Sequence, residues 1–256
     1  MKKLPGFLVL ISTACFGQQS TGQAIIDEYC GNCAWKHSYF SYEWQECLDA
    51  GLEKDSTIAY LWQQKSMPYF KRQKFEIALK YLDKAVQYDK KSWLPYRAYL
   101  KCIFVKDHRG AITDFTECIN LYGNSYEMDH TYRFYIALSY LQLEEVDKAE
   151  AILREDITAA GEAAHHLDIF YYGIVKYEQK QWEAAITLFD RAIGLYPEFS
   201  DAKYYKSKCL KRLGKEQEAD KLYAEARSDF KNGYTINEDS VIYEKYPYQV
   251  TYYANN

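Results

Sequence analysis

The sequence predicts an all-α fold in which antiparallel helix pairs stack into a solenoid. Three observations carry that reading. Alanine recurs at a spacing near 34 residues, proline and glycine are scarce at 5 and 12 of 256 residues, and apolar residues follow a helical period between the alanines. Scarce proline and glycine favour long uninterrupted helices over a turn-rich β fold. Hydrophobic residues make up 48% of the chain and charged residues 27%, a composition that can bury a core. Tyrosine is unusually frequent, at 27.

Six segments read as helices: Tyr42–Lys54, Lys74–Asp89, Gly110–Tyr122, Val146–Ile157, Trp182–Tyr196 and Lys215–Lys231. Five carry alanine near the start, at Ala78, Ala111, Ala149, Ala185 and Ala219, and Trp44 holds that place in the first. The successive spacings from Trp44 are 34, 33, 38, 36 and 34 residues. Each alanine is followed by a large apolar residue and then, in most units, by a small one. Unit 59–91 has Trp62, Ser66, Tyr69, Ala78, Leu82 and Ala85. Unit 166–199 has Gly173, Ala185, Phe189, Ala192 and Pro197, and unit 200–233 has Ser207, Leu210, Ala219, Tyr223 and Ala226. Two units depart from the pattern. In 92–129, Ala111, Phe115 and Cys118 are present, but Tyr99 stands where the first helix wants a small residue. In 130–165, Ala137, Tyr140, Ala149 and Leu153 are present, but Asp156 replaces the last small residue.

These residues and this period resemble the tetratricopeptide repeat. The resemblance covers 59–233 well; 18–58 reads as a degenerate N-terminal helical cap and 234–256 as a tyrosine-rich C-terminal tail. It implies a right-handed superhelical solenoid of about five repeats. Small residues let paired helices approach, large ones fill the flanks, and neighbouring hairpins bury the face that one alone cannot. Ser92 and Ser200 are expected to cap helices, Gly161 and Gly214 to sit in turns, and Pro68 to kink the helix it falls in.

Family geometry places the first helix of each pair on the concave surface. Mapped onto this chain, the inward positions are Gln63, Met67 and Phe70; Tyr96, Leu100 and Ile103; Phe134, Leu138 and Leu141; Phe170, Ile174 and Tyr177; then Tyr204, Lys208 and Lys211. Four sets are largely apolar, and an open groove of that kind exceeds the few hundred Å2 usual for a monomer. The groove is expected to hold a protein or peptide segment, with the basic last set meeting an acidic group, unless these positions serve as ordinary core. The family's clamp for acidic C-termini uses Lys and Asn at set inner positions; Met67, Leu100 and Leu138 stand at one of them here, so that partner class is not implied. The tail is rich in Tyr, Val and Ile, unlike a solvated tail. Val241, Ile242, Tyr243, Tyr246, Tyr248 and Val250 are expected to pack on the body, filling the groove in cis.

Residues 1–17 read as a signal peptide. Lys2 and Lys3 precede the apolar stretch Phe7 to Ile11, which is too short to span a bilayer, and small residues follow. Cleavage after Gly17 is the reading; lipidation of Cys15 is the alternative, although Ser12 stands where a lipoprotein pattern wants a Leu-type residue. Either way the protein is exported, periplasmic or secreted, with no integral span. The formal net charge of −4 argues against nucleic acid, which requires a basic stripe.

Cys30, Cys33, His37 and Cys47 form the one tempting chemical cluster. Cys30-Gly-Asn-Cys33 lacks the β pattern of a thioredoxin-like site, and Ala34 stands where haem attachment needs histidine. Cys30, Cys33 and His37 share one face if the segment is helical, and Cys47 could join them, so a thiol or metal-binding role is the alternative function. In an exported chain a disulfide within Cys30, Cys33 and Cys47 is favoured, the pair left open, with no metal or cofactor assigned. Cys102, Cys118 and Cys209 match core positions. His165-His166 reads as a solvated pair. No nucleophile–base arrangement, phosphate loop or zinc-protease motif is present, so no enzyme is expected.

Overall fold

A computed structural model describes residues 21–237 and 245–251. The expected signal segment, Cys15, and the tail residues Val241, Ile242 and Tyr243 lie outside the described residues. The chain divides into two compact units, Met1–Leu61 and Trp62–Asn256.

In the first unit, α1 (Thr21–Ile26) runs into a π-turn over Asp27–Gly31, a 3-10 turn over Ala34–Lys36 follows, and α2 (Tyr42–Lys54) closes the unit. The Ser41 hydroxyl caps α2 by accepting from the Trp44 amide at 3.2 Å. Cys30, Ala34, Trp44 and Leu48 form its small core. Gly51 is required there, because a Cβ would sit 2.9 Å from that of Tyr29.

The second unit is a run of helices: α3 (Ala59–Lys71), which begins just before it, α4 (Phe75–Tyr88), α5 (Lys90–Leu100), α6 (His108–Tyr122), α7 (Tyr132–Gln142), α8 (Val146–Ala160), α9 (His166–Glu178), α10 (Trp182–Leu195), α11 (Ser200–Arg212) and α12 (Glu216–Lys231). From α4 onward consecutive helices pack on each other, and α9 also touches α7 and α11. The repeat alanines fill the closest contacts: Ala78, Ala111, Ala149 and Ala185 are wholly buried. Gly173 marks the tightest approach, since a Cβ would lie 2.6 Å from the Phe189 ring on the partner helix.

The fold is an all-α solenoid, with local departures from expectation. A two-residue antiparallel ladder, β1 (Tyr126–Glu127) with β2 (His130–Thr131), bridges α6 and α7. Helix α5 is capped by Asp89, which accepts from the Ser92 amide at 3.1 Å, so Ser92 lies in the first turn and is not the cap. Ser200 opens α11 as its first residue and likewise does not cap it. Pro68 lies inside α3. Tyr99 is buried, and α5 passes after it into a π-turn over Lys101–Val105 that ends on left-handed Lys106. Asp156, in place of a small residue, is held by Arg133 at 2.7 Å across the α7–α8 pair. Arg97 and Asp114 do the same across α5 and α6 at 2.8 Å, and Lys203 pairs with Asp229 across α11 and α12.

Candidate functional site

The expected groove residues divide sharply by accessibility. Phe70, Leu100, Ile103, Phe134, Leu138, Leu141, Phe170 and Ile174 are buried. Met67, Tyr96, Tyr177 and Tyr204 are half-buried, with the Tyr96 hydroxyl 3.1 Å from the Met67 sulfur. Lys208 and Lys211 are exposed. They border a shallow pocket of about 240 Å3 with Tyr204, Ser207 and Tyr223, and the Lys208 ammonium lies 5.2 Å from the Tyr204 ring.

The tail residues 245–251 contact the first helices of successive hairpins. Lys106, at the end of the α5 segment, donates to the Lys245 carbonyl at 2.6 Å. Tyr171 on α9 donates its hydroxyl to the Pro247 carbonyl at 2.8 Å. Asp201 on α11 accepts the Val250 amide at 2.6 Å. Tyr246 and Val250 are buried. The Tyr246 ring lies 6.5 Å from that of His130, and the Tyr248 ring packs edge-on to Tyr205 at 5.9 Å. Glu178 on α9 is a hydrogen-bonding partner of Tyr248.

Asp201 organises both ends of this segment. Besides Val250, it accepts from the Thr235 hydroxyl at 2.8 Å and the Ile236 amide at 3.1 Å. Burial pushes its pKa up to about 6 despite these donors. Asp201 was not among the expected inward positions, nor were Tyr135, Tyr171 and Tyr205. Each of these tyrosines stands one place after an expected residue, beside Phe134, Phe170 and Tyr204. The sequence does hold a signal for them: Tyr99, Tyr135, Tyr171 and Tyr205 recur at spacings of 36, 36 and 34. Tyr99 and Tyr135 meet edge-on at 5.5 Å, and burial raises the hydroxyl pKa of Tyr135, Tyr171 and Tyr205 well above normal.

Beside Tyr246 lies a cleft of about 540 Å3 lined by Tyr99, His130, His165, His166, Tyr196 and Asn237, among others. The histidine pair is thus not simply solvated. His165 is exposed but accepts the Leu167 amide through Nδ1 at 3.3 Å, capping α9. His166 is half-buried against Tyr196 and Phe199. The His130 ring stacks on Phe134 at 4.0 Å. Burial, then the neighbouring imidazoles, lower His130 to about 3; burial and His165 lower His166 to about 4. His130 and His166 are therefore neutral at pH 7, and burial lowers His165 as well.

In the first unit Cys33 and Cys47 face each other as a bonded pair, with Cα atoms 5.7 Å apart. Donor atoms of Cys33, His37 and Cys47 lie within 4.8 Å of one another. Cys30 does not join them. The segment is not one helix: the π-turn ends at Gly31 and His37 has extended backbone, so the shared helical face of Cys30, Cys33 and His37 does not form. Cys30 is a buried free thiol whose pKa burial raises to about 11, far from a reactive thiolate. Cys102, Cys118 and Cys209 are also free and buried.

The fold is that of the tetratricopeptide-repeat solenoids. Residues 173–233 match the Tetratricopeptide repeat family. No curated protein sequence matches the chain. Among solved structures, PilW, described as a widely conserved type IV pilus biogenesis factor, superposes with a TM-score of 0.63 at 13% identity, covering 84% of this chain and 96% of that one. MamA from Desulfovibrio magneticus gives 0.56 at 18% identity, covering 68% and 96%. YrrB, described as a TPR protein with an unusual peptide-binding site, gives 0.50 at 15% identity, covering 72% and 93%. At these identities the likeness is one of fold. Within that fold, residues 173–233 carry the family's repeat. Among the described residues no helix is long and apolar enough to cross a membrane.

Proposed function

We propose that this protein is an exported interaction scaffold that holds a segment of another protein against the first helices of its hairpins, and that its own tail holds that face in cis. The observation that carries the reading is the seating of residues 245–251, whose main-chain groups are received by Lys106, Tyr171 and Asp201 from three different hairpins. A surface that receives main-chain groups suits an extended peptide, and such contacts give affinity without demanding one sequence. The fold class supports a protein or peptide partner, and YrrB, by its description, binds peptide on the same fold. Export rests on the basic–apolar–small order of residues 1–17. In this reading Cys33 and Cys47 form a structural disulfide that stabilises a small N-terminal unit, and no residue performs catalysis.

The buried residues Leu100, Phe134, Leu138, Phe170 and Ile174 then support the face from beneath, while Tyr96, Tyr177, Tyr204, Lys208 and Lys211 are its accessible part. The test is to immobilise the full chain and its Tyr246→Ala/Pro247→Ala variant, altered only in the tail, beside each other and compare what each retains from an envelope extract. Stoichiometric retention of one protein, stronger on the variant, supports a tail-guarded scaffold. Equal retention on both, or none on either, counts against it.

A further inference from the structure

Residues Tyr246 to Gln249 form a β-turn. The Gln249 amide donates to the Tyr246 carbonyl at 3.2 Å, Pro247 occupies the second place, and Tyr248 in the third has φ +60°. Proline second and positive φ third define a type II turn, whose third place favours glycine or asparagine. A tyrosine held there is strained, and such strain persists only where the surroundings enforce it. The Nε2 of Gln249 is also buried without a partner among the described residues, while its Oε1 accepts from the Tyr246 amide at 3.1 Å. The tail is therefore an imperfect occupant of its own seat.

The receiving half of the site is not imperfect. Tyr171 reads the carbonyl of the proline, Asp201 reads the amide three residues later, and Lys106 reads the carbonyl two residues before. His130 and Tyr135 flank the aromatic ring that precedes the proline. All three polar contacts go to main chain, so they are available to any segment that adopts the turn.

We propose that this seat is a receptor for an aromatic–proline turn presented by a partner protein: an aromatic residue, then proline, in an extended segment whose third turn residue tolerates positive φ. The inference rests on the cis-docked tail described above and adds the chemistry of what replaces it. A partner with glycine or asparagine third escapes the strain that Tyr248 bears, which favours exchange.

The test uses the full chain and a labelled heptapeptide, Lys-Tyr-Pro-Tyr-Gln-Val-Thr, that copies residues 245–251. Fluorescence anisotropy measures its binding to the wild type and to a Tyr246→Ala/Pro247→Ala chain whose own tail is weakened. Binding at least tenfold tighter to the weakened chain is expected, because the cis tail competes at high effective concentration. Adding Tyr171→Phe lowers that affinity about three- to tenfold, the loss of one neutral hydrogen bond, and a peptide with alanine for proline binds several-fold more weakly. Amide exchange of Val250 in the wild type is read in parallel, with and without excess peptide; the peptide should accelerate it, a readout that needs no variant. If Val250 is protected but the peptide neither binds the weakened chain nor accelerates exchange, the turn-receptor proposal is overturned and the cis-docked tail stands. An alanine-for-proline peptide binding equally well also overturns it. If Val250 exchanges as fast as in a free peptide, the cis-docked reading fails and this proposal with it.

Discussion

Asp201 sits out of solvent and receives donors from both sides of the tail, Thr235 and Ile236 at one end and Val250 at the other. Removing the acceptor leaves those donors unpaired, so Asp201→Ala is expected to cost about 2 kcal/mol or more and to expose the tail to protease first. Loss of melting temperature without earlier cleavage near 245–251 would count against the role. His130 makes a second residue-scale prediction. Its folded pKa of about 3 lies below the ordinary 6.5, so the unfolded chain binds the proton more readily. Its contribution to stability is full above pH 6.5 and is lost as pH falls toward 3. His166 acts in the same sense. Asp168 and Asp201, raised to about 6, and Glu127, raised to about 7, act oppositely: their contribution is full below about pH 4 and is lost as pH rises through 6 to 7. Comparing wild type with His130→Phe isolates the imidazole, because phenylalanine keeps the stack on Phe134. Between pH 6.5 and 4 the variant should lose less stability than the wild type, by up to about 1.4 kcal/mol per pH unit. Parallel curves would contradict the assignment.

At the scale of elements, the hairpins are positioned by small residues at close approaches. Gly173→Ala drives a Cβ into the Phe189 ring and is expected to destabilise the second unit by about 1–3 kcal/mol, read by denaturant midpoint. The first unit depends on its crosslink. The Cys33–Cys47 loop, with a sequence separation of 14, corresponds to about 3 kcal/mol of unfolded-state entropy. Cys47→Ser should therefore unfold that unit early, and alkylation of the denatured chain should gain two sites on reduction. No gain would remove the disulfide. Much of this level was legible in the sequence, because the alanines that locate each second helix are read from spacing alone. Helix α2 spans Tyr42–Lys54 as read, and the other segments differ by a few residues at their ends. What stayed hidden depended on tertiary placement: which two of Cys30, Cys33 and Cys47 meet, and the π-turn that follows α5. The capping of α5 by Asp89 was hidden for a different reason: the helix starts before the serine that looked like its signal.

For the molecule as a whole, the inward positions expected from family geometry include residues that are buried, such as Phe134 and Phe170. The residues that touch the tail are their neighbours, Tyr135 and Tyr171, and a tyrosine recurring at repeat spacing was the signal for them. Asp201 carried no such signal, since an aspartate in the first turn of a helix is ordinary. Tyr246 and Val250 of the tail are buried, and the Val250 amide is hydrogen-bonded to Asp201. The central claim is that the tail covers a surface built to hold a peptide. It is tested most directly by ending the chain after Gly233 and measuring melting temperature and apolar-dye binding against the full protein. A lower melting temperature and increased dye binding are expected, because the face around Tyr135, Tyr171 and Tyr205 loses its cover. Unchanged values for both would contradict it.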